Sequence, residues 1–415
     1  PEQRIAVVEP GVVAARLNAE LAEHGLVWAP HTSTLNRATV GGMIATDAAG
    51  KGSLVHGRAH RHVAAVDLCL ADGTELHLAP TSLVEAEQLA TTAGPVGELW
   101  RALLDLDPSR GDVRLPELAR GFSGYGIDRF RTGDTIDPVQ LVVGAEGTLG
   151  IVTRAWLRLT PLAARVATVV AVYDSFDDAI SDSLDLAATH PHAIETFDEA
   201  TLAAARRSPA WPVIADAVGD EPGAVLMLEY EGDVEVATEP IVAAIDSTGR
   251  RRGVVALADA EQRRLAWKLR ADAVGLLAAN VAGRPERTAR PTAMVEDCAV
   301  PVAEMPAFIA AFRRLLDDAG LEYGMFGHAD VGCVHVRPAL DLTHDDHREL
   351  VAALTAQVVD LVDAHGGILW GEHGRGFRGA SAARFLTPDT IAVMEQVKAA
   401  FDPDDLCNPG KLYRP

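Results

Sequence analysis

VATVVAVYD (166–174) and AVLMLEYEG (224–232) are apolar runs bounded by polar residues, and each reads as a strand. Between them, residues 175–189 carry a helical pattern and 193–197 a short strand. A further helix is expected at about 233–247. This β-α-β-β-α-β rhythm predicts a ferredoxin-like antiparallel sheet with helices on one face. Upstream of residue 160 the texture differs. RIAVV (4–8) reads as a strand and 12–24 as a helix, and VDLCLADGTELHL (66–78) is a hairpin around Asp72-Gly73. LVVGAEGTLGIVTRAWLRL (141–159) reads as strand, glycine loop, strand. Downstream, long helices are expected at 259–281 and 301–319, then strands at 323–328 and 332–337. Helices near 345–365 and 388–401 complete the chain. The fold class is α+β, with domains at 1–160, 161–370 and 371–415.

At 415 residues the chain is too long for one small core. Its 37 basic and 59 acidic residues give a net charge of −22, a field that opposes nucleic acid and anionic membrane. A local basic pocket for an anionic substrate is still compatible with it. Cys69, Cys298, Cys333 and Cys407 are scattered without a CxxC pair, which disfavours a disulfide framework, a structural zinc site and a cysteine-held iron–sulfur cluster. A reducing cytoplasm is the expected location, with peripheral attachment to an inner membrane left open. Nothing in the sequence speaks against a homo-oligomer.

Chemistry concentrates near the C-terminus. His328 and His335 bracket GHADVGCVHV, and WGEHGRG follows with Glu372 and His373. A tight hairpin can return His335 beside His328. Two imidazoles plus a carboxylate would leave an open coordination position, as in a catalytic zinc site. The alternative is coincidence, since fourteen histidines will produce some such pairs. GRGFRG (374–379) satisfies G-x-G-x-x-G but lies outside any convincing βαβ unit, so a nicotinamide site is not expected there. Three separated glycine loops carry more weight: ATVGGMIATDAAG (38–50), VVGAEGTLGIVT (142–153) and CNPGK (407–411). Glycines let a flat or anionic ligand approach the backbone, and the loops together point to a large cofactor.

TVGGMIATDAAG…HGRAHRHVAAVDLCLADG, AEGTLGIVT and NPGK resemble the flavin contacts of vanillyl-alcohol-oxidase-type flavoproteins. FGHADVGCVHVRPAL and WGEHGRGFR are similar to the branch of D-lactate, glycolate and D-2-hydroxyglutarate dehydrogenases, above all the flavin part of the large bacterial D-2-hydroxyglutarate enzymes. The resemblance covers essentially the whole chain. It implies a two-subdomain flavin-binding domain, a substrate or cap domain and a C-terminal helical segment returning to the flavin. It implies FAD held by Thr39, Gly41, Gly42, Asp47, Gly50, Glu146, Gly147, Thr148, Gly150, Ile151, Val152, Asn408 and Lys411. It further implies a divalent metal, zinc being expected, on His328, His335 and Glu372. Family members carry a PRGxGTS-like loop and, in the large enzymes, iron–sulfur cysteines; neither is found here. The chain is therefore expected to be a piece of a longer protein, with the flavin-binding domain lacking its N-terminal part.

The implied reaction is oxidation of a D-2-hydroxy acid, D-2-hydroxyglutarate ahead of D-lactate, with His373 as base and Arg270 as substrate arginine. Thr292 resembles a neighbouring substrate contact, and Arg337 and Arg375 would bind a distal carboxylate or pair with acids. The electron acceptor would be a separate partner or a fused iron–sulfur domain. Two other readings stay open. A non-catalytic flavodomain-like subunit fits the missing loop but not the intact His/His/Glu/His set. An alkylglycerone-phosphate synthase relative should lack the complete metal triad.

Overall fold

The longest sheet runs Gly253–Leu257, Arg165–Tyr173, Ala224–Gly232, Ala193–Phe197, Tyr323–His328, Cys333–Leu340, with Arg290–Pro291 and Asp297–Ala299 both paired to the last of these. Every pairing is antiparallel. This computed structural model describes residues 3–109, 111–121, 124–221, 223–232, 239, 242–243, 245, 251–257, 259–282, 289–294 and 296–413. Most of the helix expected at about 233–247 lies outside the described residues. The first four strands follow the order fourth, first, third, second, so Arg165–Tyr173 is central and buried from Ala167 onward. The sheet is wider than a four-stranded one because the Tyr323–His328 hairpin adds to the edge of Ala193–Phe197.

One face of this sheet is covered by helix Ala260–Ala282. Ala266, Leu269 and Ala273 recur at three- and four-residue spacing and pack with Val170, Val172, Phe197, Val225, Met227 and Phe326. Burying each large side chain of this set stabilises the fold by about 1.5–3 kcal/mol. Arg270 stands four residues after Ala266, on the same buried stripe. It is therefore not the exposed helix charge that an isolated arginine on a helix suggests, and only 7% of its surface is accessible.

The described chain divides into two units. One comprises Leu118–Arg120 and Ala163–Gly371, and contains the sheet above. The other comprises the residues up to Glu117, Gly121–Leu162 and those from Glu372 onward. Its main sheet is antiparallel in the order Ile5–Val8, Ile151–Arg158, Val63–Cys69, Glu75–Leu78. The Asp72-Gly73 hairpin pairs Cys69 with Glu75, and the Asp72 carboxylate accepts Thr74 N–H at 2.8 Å.

One expected strand is absent. LVVG, read as β from residue 141, instead ends a helical turn, Val139–Val142. Pro138 precedes it with φ −66°, a helical value, and Asp137 accepts the Val139 N–H at 3.1 Å. All four residues of the turn are buried, so an apolar run that resembles a strand is serving as a buried helical turn.

Candidate active site

His328 ends one strand of the hairpin and His335 lies on the next. The register pairs His328 with Cys333 and Phe326 with His335, so both imidazoles occupy the same sheet face as diagonal neighbours. Their ring centroids are 5.6 Å apart at 88°. The turn between them is a 3-10 segment, Ala329–Val331, closed by Gly332 at φ +71°. A Cβ on Gly332 would stand 2.0 Å from Val300 O, so no other residue fits.

Neighbouring strands surround the pair with carboxylates. Glu195 sits directly opposite His328 and accepts its Nδ1 at 2.7 Å; Asp297 sits directly opposite His335. His335 Nδ1 lies 3.7 Å from both Glu296 Oε2 and Asp297 Oδ1. Arg270 Nε donates to the other Glu195 oxygen at 2.9 Å, and its guanidinium stacks 5.4 Å from the Phe326 ring. Burial alone would raise the Glu195 pKa, but His328 and Arg270 outweigh it and hold the group at about 2. Asp330 goes the other way: burial pushes it up to about 6 against Arg120 and His328. Arg337 is paired with Glu296 and lies 5.8 Å from the Phe326 ring. Thr292 donates its hydroxyl to Arg290 O at 2.8 Å. Cys333 Sγ lies 3.6 Å from Asp297 Oδ1, inside the packing. Two imidazoles among buried carboxylates make a setting for a cation, while Arg270 offers a guanidinium for an anion.

The other unit brings the three glycine loops together. Glu146 N–H donates to Ala45 O at 2.8 Å, and Asn408 Nδ2 donates to Glu146 O at 2.6 Å. Buried Lys398 donates to Thr148 O at 2.7 Å and Cys407 O at 2.9 Å. Tyr125 OH and Thr148 Oγ1 are 2.7 Å apart. Thr39 caps helix Val40–Ala45 by accepting Gly42 N–H at 3.3 Å. Asp47 is buried and bonded to Arg58 at 2.6 Å and to His60 Nδ1 at 2.9 Å. Burial raises its pKa, yet these partners hold it far below the usual carboxylate range. Gly41 packs on Pro10, and a Cβ on Gly50 would come within 1.9 Å of His31 O. Gly147 and Gly42 are exposed, Ile151 is 69% exposed, and Val152 is half-buried. Gly150 lies against Cys69 O, and Lys411 donates to Pro409 O at 3.3 Å.

The GRGFRG stretch forms a loop and a 3-10 segment, Gly376–Ser381. Its N–H groups at Arg375 and Gly376 point at the two Glu146 oxygens. The glycine turn that could cradle a phosphate is thus filled by a side chain of the chain itself. Arg375 is fully buried, its basicity lowered by burial and supported by Glu146. Glu372 Oε1 and His373 Nε2 are 3.6 Å apart, and the His373 side chain is 41% exposed.

Residues 162–412 match the family described as FAD linked oxidases, C-terminal domain, and residues 1–79 match an FAD binding domain. The chain belongs to the FAD-linked oxidases. The first match spans Arg270, His328, His335, Glu372 and His373, and the second spans the 38–50 loop; the Glu146–Val152 loop lies in neither. The D-2-hydroxyglutarate dehydrogenase of Pantoea ananatis is 37% identical over 434 residues, covering all of this chain and 42% of that protein. That of Pseudomonas putida is 36% identical over 428 residues with the same coverage. The chain therefore spans less than half the length of these curated relatives. An alkyldihydroxyacetonephosphate synthase structure matches with TM-score 0.63 at 15% identity, covering 99% of this chain and 64% of that one, which shows a common fold.

Glu195, Asp297, Glu296 and Lys398 are not among the site residues expected from the sequence. One signal for Glu195 was present: it interrupts AIETF, a strand buried at all five positions. A carboxylate there demands partners.

Proposed function

We propose that this chain is the flavin- and substrate-binding part of an FAD- and divalent-metal-dependent dehydrogenase that oxidises a D-2-hydroxy acid, D-2-hydroxyglutarate first. The observation that carries this is the Glu195 carboxylate shared by His328 Nδ1 and Arg270 Nε. A carboxylate on Nδ1 fixes the imidazole with Nε2 turned away as the ligand atom, the usual support for a metal-binding histidine. Two buried imidazoles among carboxylates are donors that suit a zinc-type ion, and the likeness of the two histidine motifs to the hydroxyacid dehydrogenases adds Glu372 as its third ligand.

The converging loops fit FAD, with Thr39, Gly41, Gly42, Asp47, Gly50, Glu146, Gly147, Thr148, Gly150, Ile151, Val152, Asn408 and Lys411 as its contacts. When bound, FAD supplies the two-electron acceptor, and the metal supplies the Lewis acidity that lowers the pKa of the substrate hydroxyl. Arg270 holds the substrate carboxylate with its remaining amino groups, and Thr292 would join it by turning its hydroxyl away from Arg290 O. His373, partly exposed, takes the hydroxyl proton at Nε2 or Nδ1 as the Cα–H bond is broken. The unit with the long sheet is the cap, with a ferredoxin-like core.

A D-lactate substrate is the second reading, and one observation favours it. A dicarboxylate needs a second cation, and Arg337, a candidate for it, is already paired with Glu296. A panel of 2-hydroxy acids with a dye acceptor, with and without chelator, tests both. Chelator-sensitive turnover of D-2-hydroxyglutarate above D-lactate is expected. Turnover of neither, or turnover indifferent to chelator, would end the reading.

A further inference from the structure

Glu195 is the middle residue of Ala193–Phe197, a strand buried on both faces. An unpaired carboxylate in that position would cost several kcal/mol, so its placement needs a reason. Both of its oxygens are committed. Oε1 accepts His328 Nδ1 at 2.7 Å from the strand opposite, and Oε2 accepts Arg270 Nε at 2.9 Å from the covering helix. The register sets the first contact, since Glu195 and His328 are direct cross-strand partners. The helical stripe of Ala266, Leu269, Arg270 and Ala273 sets the second. Phe326 backs the arrangement, its ring 5.4 Å from Arg270 and 5.3 Å from the His335 ring. Packing alone does not explain a buried ionic bridge, because apolar residues of similar volume commonly stabilise a core as well or better.

We infer that Glu195 is a positioning residue that aims the His328 imidazole at the metal and the Arg270 guanidinium at the substrate carboxylate through a single side chain. This rests on the reading above that His328 is a metal ligand and Arg270 a substrate anchor. With Nδ1–H held, the lone pair is on Nε2, and the ring cannot rotate without breaking a charge-assisted bond. With Nε held, the guanidinium plane is set and the amino edge is left for a second carboxylate. Metal affinity and substrate affinity are thereby coupled through a residue that touches neither ligand.

The test compares the wild-type chain with Glu195→Ala, Glu195→Gln and Arg270→Ala. Three readouts are zinc affinity by chelator competition, KM for the hydroxy acid, and the His328 ring tautomer by 15N-histidine NMR. Glu195→Ala is expected to weaken zinc ~10–100-fold, raise KM ~10-fold or more, and release the Nδ1–H tautomer. An amide has one acceptor and one donor end, so Glu195→Gln should restore one of the two affinities and not both. Arg270→Ala should raise KM with zinc affinity unchanged, a split that a general packing role would not produce. Wild-type zinc affinity, KM and tautomer in Glu195→Ala would overturn the inference. A wild-type chain that takes up no zinc, while Glu195→Ala still changes the tautomer, upholds Glu195 as the positioner and overturns the metal reading instead.

Discussion

The carboxylate of Glu146 accepts the backbone N–H of Arg375, 229 residues further along the chain, and its second oxygen accepts Gly376 N–H at 2.9 Å. Glu146 itself adopts φ +50°, a left-handed value that costs a non-glycine residue about 1–3 kcal/mol. Its N–H and C=O are also engaged, by Ala45 and Asn408. One residue therefore joins the 38–50 loop, the 372–376 segment and the 407–411 loop.

Replacing Glu146 by Ala should strip both Arg375 and Gly376 N–H groups of their acceptor and remove the nearby negative charge that supports the basicity of buried Arg375. A loss of about 2–4 kcal/mol in stability is expected, with flavin released more readily on dilution. Urea unfolding and the flavin absorbance of the desalted protein read the two effects. Wild-type values for both would show that the loops hold without this clasp.

Gly50→Ala and Gly42→Ala should behave in opposite ways. The first forces a Cβ to within 1.9 Å of a carbonyl oxygen and should lower the melting temperature even in apoprotein. The second places a methyl group on an exposed helical residue, 3.3 Å from Thr39 Oγ1, and should hold or raise apoprotein stability by up to about 1 kcal/mol. If Gly42→Ala keeps its stability but loses flavin, the position faces the ligand. Equal thermal shifts in both variants would contradict this assignment.

Asp198 accepts Thr201 N–H at 2.8 Å and Met325 N–H at 2.7 Å, yet burial pushes its pKa from 3.8 up to about 7. The folded state thus holds a proton that the unfolded state gives up between about pH 4 and 7. The stability this group adds is complete below pH 4 and is lost as pH rises through 7. Asp198→Asn should flatten that slope while lowering stability at pH 5, since an amide offers one acceptor to two donors. Urea midpoints at pH 5 and pH 8 check it; the same pH difference in both proteins would sink it.

His373→Ala should lower kcat by ~100-fold or more while zinc stoichiometry stays at the wild-type value. His328→Ala and His335→Ala should lower bound zinc, measured by elemental analysis. Full turnover in His373→Ala removes it as the base, and undiminished zinc in the other two removes them as ligands.

Much of the architecture was legible because local chemistry wrote it. The continuous apolar runs at 166–174 and 224–232, the Asp72-Gly73 turn and the long helix at 259–281 all stand where propensity and patterning put them. The 141–142 strand did not, because a buried helical turn and a buried strand are equally apolar and Asp137 decides between them. Arg270 illustrates the same limit. Its sequence neighbours permit either a solvent charge or a buried one, and only the stripe formed with Ala266 and Ala273 shows which.

By itself, the sequence determined the chemical inventory: two imidazoles either side of a glycine turn, an adjacent Glu372-His373, and three glycine loops. Those are local facts, set by spacing along the chain. The tertiary structure alone decided who holds them. Glu195 reaches His328 across 133 residues and Arg270 across 75, through cross-strand register and a helix laid over the sheet. Such partners carry no spacing signature, because burial makes an unpaired charge costly wherever in the sequence its partner is found.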